Sequence, residues 1–224
     1  MREHYNKQLR ELNEELENLG KLCDDALSGA IKALQEGDKE LARKIYKADF
    51  VVDQKEREIE NLCLNIILHQ QPIASDLRLV SSALKLITDM ERIGDQSSDI
   101  AEIVMNLDYK EQPHFKLIEK MAKASRSMVQ DAVTSFINQD IELARDVIDR
   151  DDEVDEYLVQ ARDLMVSLIT EQGHTPQTIV DLIMIAKYLE RIADHATNVA
   201  NWAIFQLVGE HPDKHPQPQV SMHA

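Results

Sequence analysis

The segment LARKIYKADFVVDQ at residues 41–54 returns as LARDVIDRDDEVDE at residues 143–156, an offset of 143 − 41 = 102. MERIGD at 90–95 returns as LERIAD at 189–194, an offset of 190 − 91 = 99. The pair Gly37-Asp38 is answered by Gln139-Asp140. Internal duplication at a period of about 100 residues predicts one supersecondary unit built twice. Any fold for this chain has to be a tandem of two like units.

Within each unit the apolar residues recur at alternating threes and fours, the spacing of a helix that buries one stripe. In the first helix these are Leu9, Leu12, Leu16, Leu19, Cys23, Ala26 and Ala30. Gly37 breaks the pattern, and Asp38 is placed to cap the next helix. Leu41, Ile45, Ala48, Val52, Ile59, Cys63 and Ile66 then carry the stripe to His69. HQQPIASD interrupts it, with Pro72 in the turn and Ser75 as the expected N-cap of a third helix. That helix carries Leu79, Ala83, Met90, Ser97, Ala101 and Val104 and fades at LDYKEQPH. In the second unit Thr175 is an expected cap, with Pro176 in the first helical position.

Helices of roughly 25–33 residues joined by short turns pack as antiparallel neighbours. The expected fold class is all-α, two tandem three-helix bundles related by duplication, at residues 1–108 and 114–208. The polar segment 209–224, GEHPDKHPQPQVSMHA, is expected to be a disordered tail.

Composition agrees with long helices. Aromatics are 4%, with only 6 Gly and 6 Pro in 224 residues. The 41 acidic against 25 basic residues give a net charge of −16, which repels nucleic-acid phosphates and anionic lipid. Cations or a basic partner surface are the natural ligands. Cys23 and Cys63 fall on apolar stripes without a C-x-x-C, so both are read as small core residues in a reducing compartment. The N-terminal MREHYNKQLREL has no secretory pattern, and no apolar run approaches the ~20 residues of a membrane span. A cytoplasmic protein without membrane insertion is expected.

Against this background the carboxylates are conspicuous. Glu91, Asp95 and Asp99 stand four apart, as do Glu190 and Asp194, so each set stacks like charges on one helix face. Asp49 and Asp53 repeat the spacing on the preceding helix. In a hairpin turning at Pro72, Asp53 and Glu91 are each 19 residues from the turn, and Asp49 and Asp95 each 23. Four carboxylates from two helices thus meet at one level, about 28 Å from the turn at 1.5 Å per residue. In the second unit Asp155 pairs with Glu190 and Asp151 with Asp194 about a midpoint in EQGH. Each of Asp49, Asp53, Glu91 and Asp95 directly follows a seam residue, which puts it at the rim of the helix contact.

Two readings stand side by side. One is a solvated acidic face. The other is a cation site, where all-oxygen donors suit iron, manganese, magnesium or calcium, and zinc less readily. Di-iron bundles use Glu-x-x-His on core helices; here Glu111-x-x-His114 and Glu171-x-x-His174 contain Pro113 and Gly173 and fall in turns. No nucleophile–base pair or Gly-rich phosphate loop occurs. No catalytic residue is expected.

QQPIASDLR at Gln70–Arg78, MERIGD at Met90–Asp95 and LERIADHATNVA at Leu189–Ala200 resemble the PhoU family, bacterial regulators of phosphate uptake and of the phosphate-starvation response. The resemblance runs from Tyr5 to Leu207. It implies metal clusters at Asp49, Asp53, Glu91 and Asp95 and at Asp151, Asp155, Glu190 and Asp194. It departs where Asn198 stands opposite Asp99, and where Asp152 and Glu156 offer a competing register. The resemblance further implies a homodimer and a negative regulator acting between a phosphate ABC transporter ATPase and a sensor histidine kinase. The alternatives are a carboxylate-bridged metalloenzyme and a metal-free protein-binding helical scaffold.

Overall fold

The computed structural model describes residues 2–107, 116–170 and 175–210. Among these residues there are seven helices and no strand: α1 (Arg2–Glu36), α2 (Lys39–Gln70), α3 (Ser75–Asn106), α4 (Lys116–Asn138), α5 (Ile141–Asp149), α6 (Asp151–Thr170) and α7 (Pro176–Val208). α1, α2 and α3 pack on one another as the first bundle. In the second bundle α4 and α7 pack together, and α5 and α6 take the place of α2. The duplicated three-helix bundles are therefore present, with the middle helix of the second copy interrupted at Arg150. The expected linker and the turn EQGH, with Glu111, His114, Glu171 and His174, lie outside the described residues, as does the tail from residue 211. Among the described residues no helix is long and apolar enough to cross a membrane.

α3 contacts α7 and α1 contacts α4, so the two bundles share one core. α3 and α7 contribute the most buried residues of the seven helices, with Ile93, Ile100, Ala101, Ile192, Ala196 and Ala200 wholly inaccessible. α2, α5 and α6 are outer helices and bury a single stripe each. Ala48, which spacing places in that stripe, is exposed, and Ala42 is buried instead.

The two copies repeat their local chemistry. Cys23 Sγ donates to the Met90 carbonyl at 3.2 Å, and Ser125 Oγ donates to the Leu189 carbonyl at 2.9 Å. Ser125 follows Cys23 by 102 residues, and Leu189 follows Met90 by 99, the same two offsets that relate the copies. A small buried donor on the first helix thereby fixes the third helix directly before its signature Glu. This gives both cysteine and serine a reason to lie in the core. Cys23 and Cys63 are free thiols, and burial raises the pKa of both.

The caps follow local rules with one exception. Asp38 accepts from Glu40 and Leu41 N–H, Asp140 from Leu143 N–H, and Thr175 from Thr178 N–H. Ser75 is not a cap; it is the first residue of α3, preceded by Ala74 at φ 50° with no side-chain capping bond. Gly37 and Gln139 end their helices in the left-handed region, at φ 66° and 58°. The bonds Asp38 N to Ala33 O (3.0 Å) and Asp140 N to Ser135 O (2.9 Å) close the same terminal turn in both copies. Glycine adopts this conformation freely, whereas a side chain is strained there. Gln139→Gly should therefore stabilise the chain by about 0.5–1 kcal/mol, measured by urea denaturation at unchanged m-value; a loss of stability would contradict the strain at this turn.

Candidate metal centre

The carboxylates are brought together where α2 and α3 approach most closely. A Cβ on Gly94 would stand 2.9 Å from Val52 Cγ1, so these helices meet nearly backbone to side chain. Gly94 precedes Asp95 and Val52 precedes Asp53. The half-buried Asp49, Asp53 and Asp95 each offer a carboxylate oxygen, and those oxygens lie within 4.8 Å of one another. This is the level that equal distance from Pro72 predicts.

Electrostatics reports the same convergence. Burial, followed by the charges of Asp95, Asp53 and Asp99, pushes the Asp49 carboxyl up to about 6. Burial and Asp95 also raise Glu91, with Arg92 opposing and with Asp53 and Glu56 adding to the effect. Glu91 is half-buried nearby, but its carboxylate is not among the oxygens that lie within 4.8 Å of one another. Asp99 is raised by burial, Asp95 and Glu102, while a hydrogen bond from the Tyr188 hydroxyl and the nearby Arg191 pull it down. Arg92 bonds Asp95 at 2.9 Å and approaches Glu91 at 3.4 Å. It is 53% exposed, where an ion pair offsets little of the repulsion.

Asp49, Asp53, Asp95 and Asp99 line an open cavity of about 580 Å³ that reaches from the first bundle to α7. Its walls carry the carboxylates of Asp49, Asp53, Asp95, Asp99 and Glu102 against the cations Lys47, Arg92 and Arg191. Five negative against three positive groups leave a formal −2 when all are ionised. Three convergent oxygen donors with uncompensated charge fit a hard cation. A bound cation would be held by Asp49, Asp53 and Asp95 and would remove the repulsion that raises Asp49.

The second set is arranged differently. Asp155 and Asp194 are exposed, Asp151 is half-buried and Glu190 is buried. Glu190 Oε1 accepts from Lys187 Nζ, and Oε2 is buried without a hydrogen-bond partner. Among the described residues, only Asp49, Asp53 and Asp95 bring three ligand atoms within the 4.8 Å spacing. Two differences in sequence accompany the change. Ala193 occupies the position of Gly94 by the 99-residue offset. Arg150 interrupts the outer helix and is held by Ser127 and Asp131 of α4, at 3.1 and 2.7 Å, as well as by Asp146.

Several residues that single-helix spacing passes over form a junction between the copies. His195 Nδ1 donates to Asp89 Oδ1 at 2.9 Å, and Asn198 Nδ2 donates to the same atom at 3.1 Å. Moving each residue by the 99-residue offset gives the other half: Asp99 stands for Asn198, Tyr188 for Asp89 and Gln96 for His195. Tyr188 donates to Asp99 there. The α3–α7 contact therefore has a pseudo-twofold pair of polar links, one of them on the rim of the acidic cavity. The offset itself was the signal for these positions.

The family model described as PhoU domain matches the chain twice, at residues 16–104 and 118–203. A phosphate-specific transport system accessory protein PhoU homolog of Clostridium acetobutylicum is 31% identical, over 95% of this chain and 98% of its own. The Aquifex aeolicus protein of that description is 38% identical, over 91% and 93%. Among solved structures, PhoU from Pseudomonas aeruginosa aligns with TM-score 0.87 at 31% identity, covering 92% of this chain and all of that one. The phosphate transport system regulatory protein PhoU from Streptococcus pneumoniae aligns with TM-score 0.88 at 28% identity, covering 93% and 99%.

A carboxyl raised from 3.8 to about 6 on folding opposes folding only once it ionises. Its penalty is absent below about pH 4, grows between pH 4 and 6 and is complete above pH 6. In chelator-treated protein Asp49→Asn should therefore raise Tm by a few degrees at pH 7, with the gain vanishing toward pH 4. Calorimetry across that range checks this, and a gain independent of pH would show that Asp49 is not repelled as described.

Proposed function

The chain belongs to the PhoU family, and on that premise we propose that it is a non-catalytic cytoplasmic regulator of phosphate uptake. It restrains the phosphate transporter and the phosphate-starvation regulon when phosphate is plentiful. The observation that carries this reading is the double PhoU match on a chain that spans nearly the whole length of the relatives named as transport accessory proteins. Its partners in this reading are the ATPase of the phosphate ABC transporter and a sensor histidine kinase, and the protein acts as a homodimer. The domains are residues 1–108 and 114–208.

The acidic cavity supports a structural metal role. Three carboxylate oxygens within 4.8 Å repel each other until a cation neutralises them, so binding stabilises the bundle by mass action. Asp49, Asp53, Glu91 and Asp95 form the first site, and Asp151, Asp155, Glu190 and Asp194 the second. The buried unpartnered oxygen of Glu190 supports the second assignment. The arrangement of the carboxylates favours the first site as the tighter of the two.

Deleting the gene in its own host should switch on a phosphate-starvation reporter in phosphate-rich medium, and re-expression should silence it. A reporter indifferent to the deletion would refute the regulatory reading. Elemental analysis of protein purified without chelators or metal resin tests the metal reading. Near-stoichiometric metal lost in Glu91→Ala/Asp95→Ala, with a smaller loss in Glu190→Ala/Asp194→Ala, is the expected result. Absence of metal from the wild type would leave the acidic columns as solvated surface.

A further inference from the structure

A net charge of −16 favours basic partners, yet one groove of the molecule has the opposite sign. It lies between α1 and α4, the first helices of the two copies, and has a volume of about 350 Å³. Leu27, Ile31 and Ala122 give it apolar walls. Lys32 from α1 and Lys123 and Arg126 from α4 line it from both sides, against the single acid Glu119. Lys116 and Lys120 are exposed seven and three residues before Lys123, so they continue the cationic strip along the same side of α4. Arg126 is engaged by Asp24, whereas Lys32 and Lys123 have no ion-pair partner among the described residues.

The mate of this groove in the duplicated fold is built otherwise. Asp24 and Arg126 are themselves related by the 102-residue offset, so their pairing places the pseudo-twofold axis of the α1–α4 contact between them. Across that axis Val133 stands for Ile31 and packs on Gly20, where an added Cβ would be 3.1 Å from Val133 Cγ1. Thr134 and Asp24 stand for Lys32 and Arg126. The one lysine kept, Lys21, is paired with Glu17 at 2.7 Å. Cationic walls with unpaired lysines therefore belong to one side of the contact.

We propose that this groove docks an acidic amphipathic helix of a partner protein. Apolar side chains of that helix enter between Leu27, Ile31 and Ala122, and carboxylates beside them pair with Lys32 on one wall and Lys123 on the other. Unpaired lysines on both walls select acidic over basic segments, and the acidic remainder of the surface repels such a helix everywhere else. Nucleic acid and anionic lipid meet that same repulsion over a wide area and have no apolar side chain to place between the helices. The groove shares no lining residue with the acidic cavity, so docking does not require metal there.

The test is fluorescence anisotropy of the full-length chain titrated against a labelled helical peptide of about 18 residues, with leucines on one face flanked by glutamates. A control peptide replaces the leucines by serine. The glutamate–leucine peptide should bind at least tenfold more tightly than the control. Lys32→Glu/Lys123→Glu should weaken it at least tenfold with helical circular dichroism unchanged, whereas Asp53→Asn in the acidic cavity should leave it within twofold. Equal binding of the serine peptide would show attraction by charge alone, and equal binding to the double variant would place the peptide elsewhere; either result overturns the groove. So does a wild type that ignores the peptide but binds phosphatidylglycerol vesicles through the two lysines, or one that binds neither. If the charge reversal prevents folding, Lys32→Gln/Lys123→Gln decides: weaker binding supports the docking site, and unchanged binding refutes it.

Discussion

The packing of α3 against α7 is the constraint from which the rest of the molecule follows. Each closes its copy, and each contributes more buried residues than any other helix of that copy. Neither can be stable with that surface exposed, so the copies must join through these helices. α1 and α4 complete the shared core, with Asp24 accepting from both Arg126 and Gln130 across their contact. The outer helices are left to cover one face each. The signature segments lie on α3 and α7, which explains why a residue such as Tyr188 of the second copy reaches Asp99 of the first.

That same central placement sets the chemistry of the acidic cavity. Carboxylates on an isolated exposed helix would repel by only a few tenths of a kcal/mol per pair. Here Gly94 lets α2 close onto α3, so Asp49 and Asp53 are pressed toward Asp95 in a half-buried setting. Burial leads the rise of Asp49, followed by the charges of Asp95, Asp53 and Asp99. The second copy keeps the acidic letters but substitutes Ala193 for the glycine and breaks its outer helix at Arg150. Its carboxylates are spread between buried and exposed positions. Duplicated sequence has yielded one convergent cluster and one dispersed set.

The parts of the fold legible in the sequence are those governed by local rules. Stripes at threes and fours predict the long helices, and Asp38, Asp140 and Thr175 cap where their short side chains predict. The hairpin symmetry about Pro72 brings Asp49, Asp53 and Asp95 to one level because both helices rise by the same amount per residue. Ser75 is not the cap its residue type predicts because the chain enters α3 through Ala74 at a positive φ, a conformation that no residue preference announces. Ala48 is exposed where spacing predicts burial because a stripe's edge is set by where the neighbouring helix lies.

The sequence by itself determined the all-helical class, the duplication, the turns at Gly37 and Pro72 and which residues could offer carboxylates, since each depends on periodicity or on contacts a few residues apart. Tertiary structure alone decided that the cavity borrows Arg191 from the other copy, that Gln96 is buried with an unpaired oxygen, and that Asp89 answers His195 and Asn198. Those relations join positions about 100 residues apart on opposed helix faces. The axial rotation and offset of α3 on α7 select them, and these come from how two nearly continuous apolar surfaces interlock.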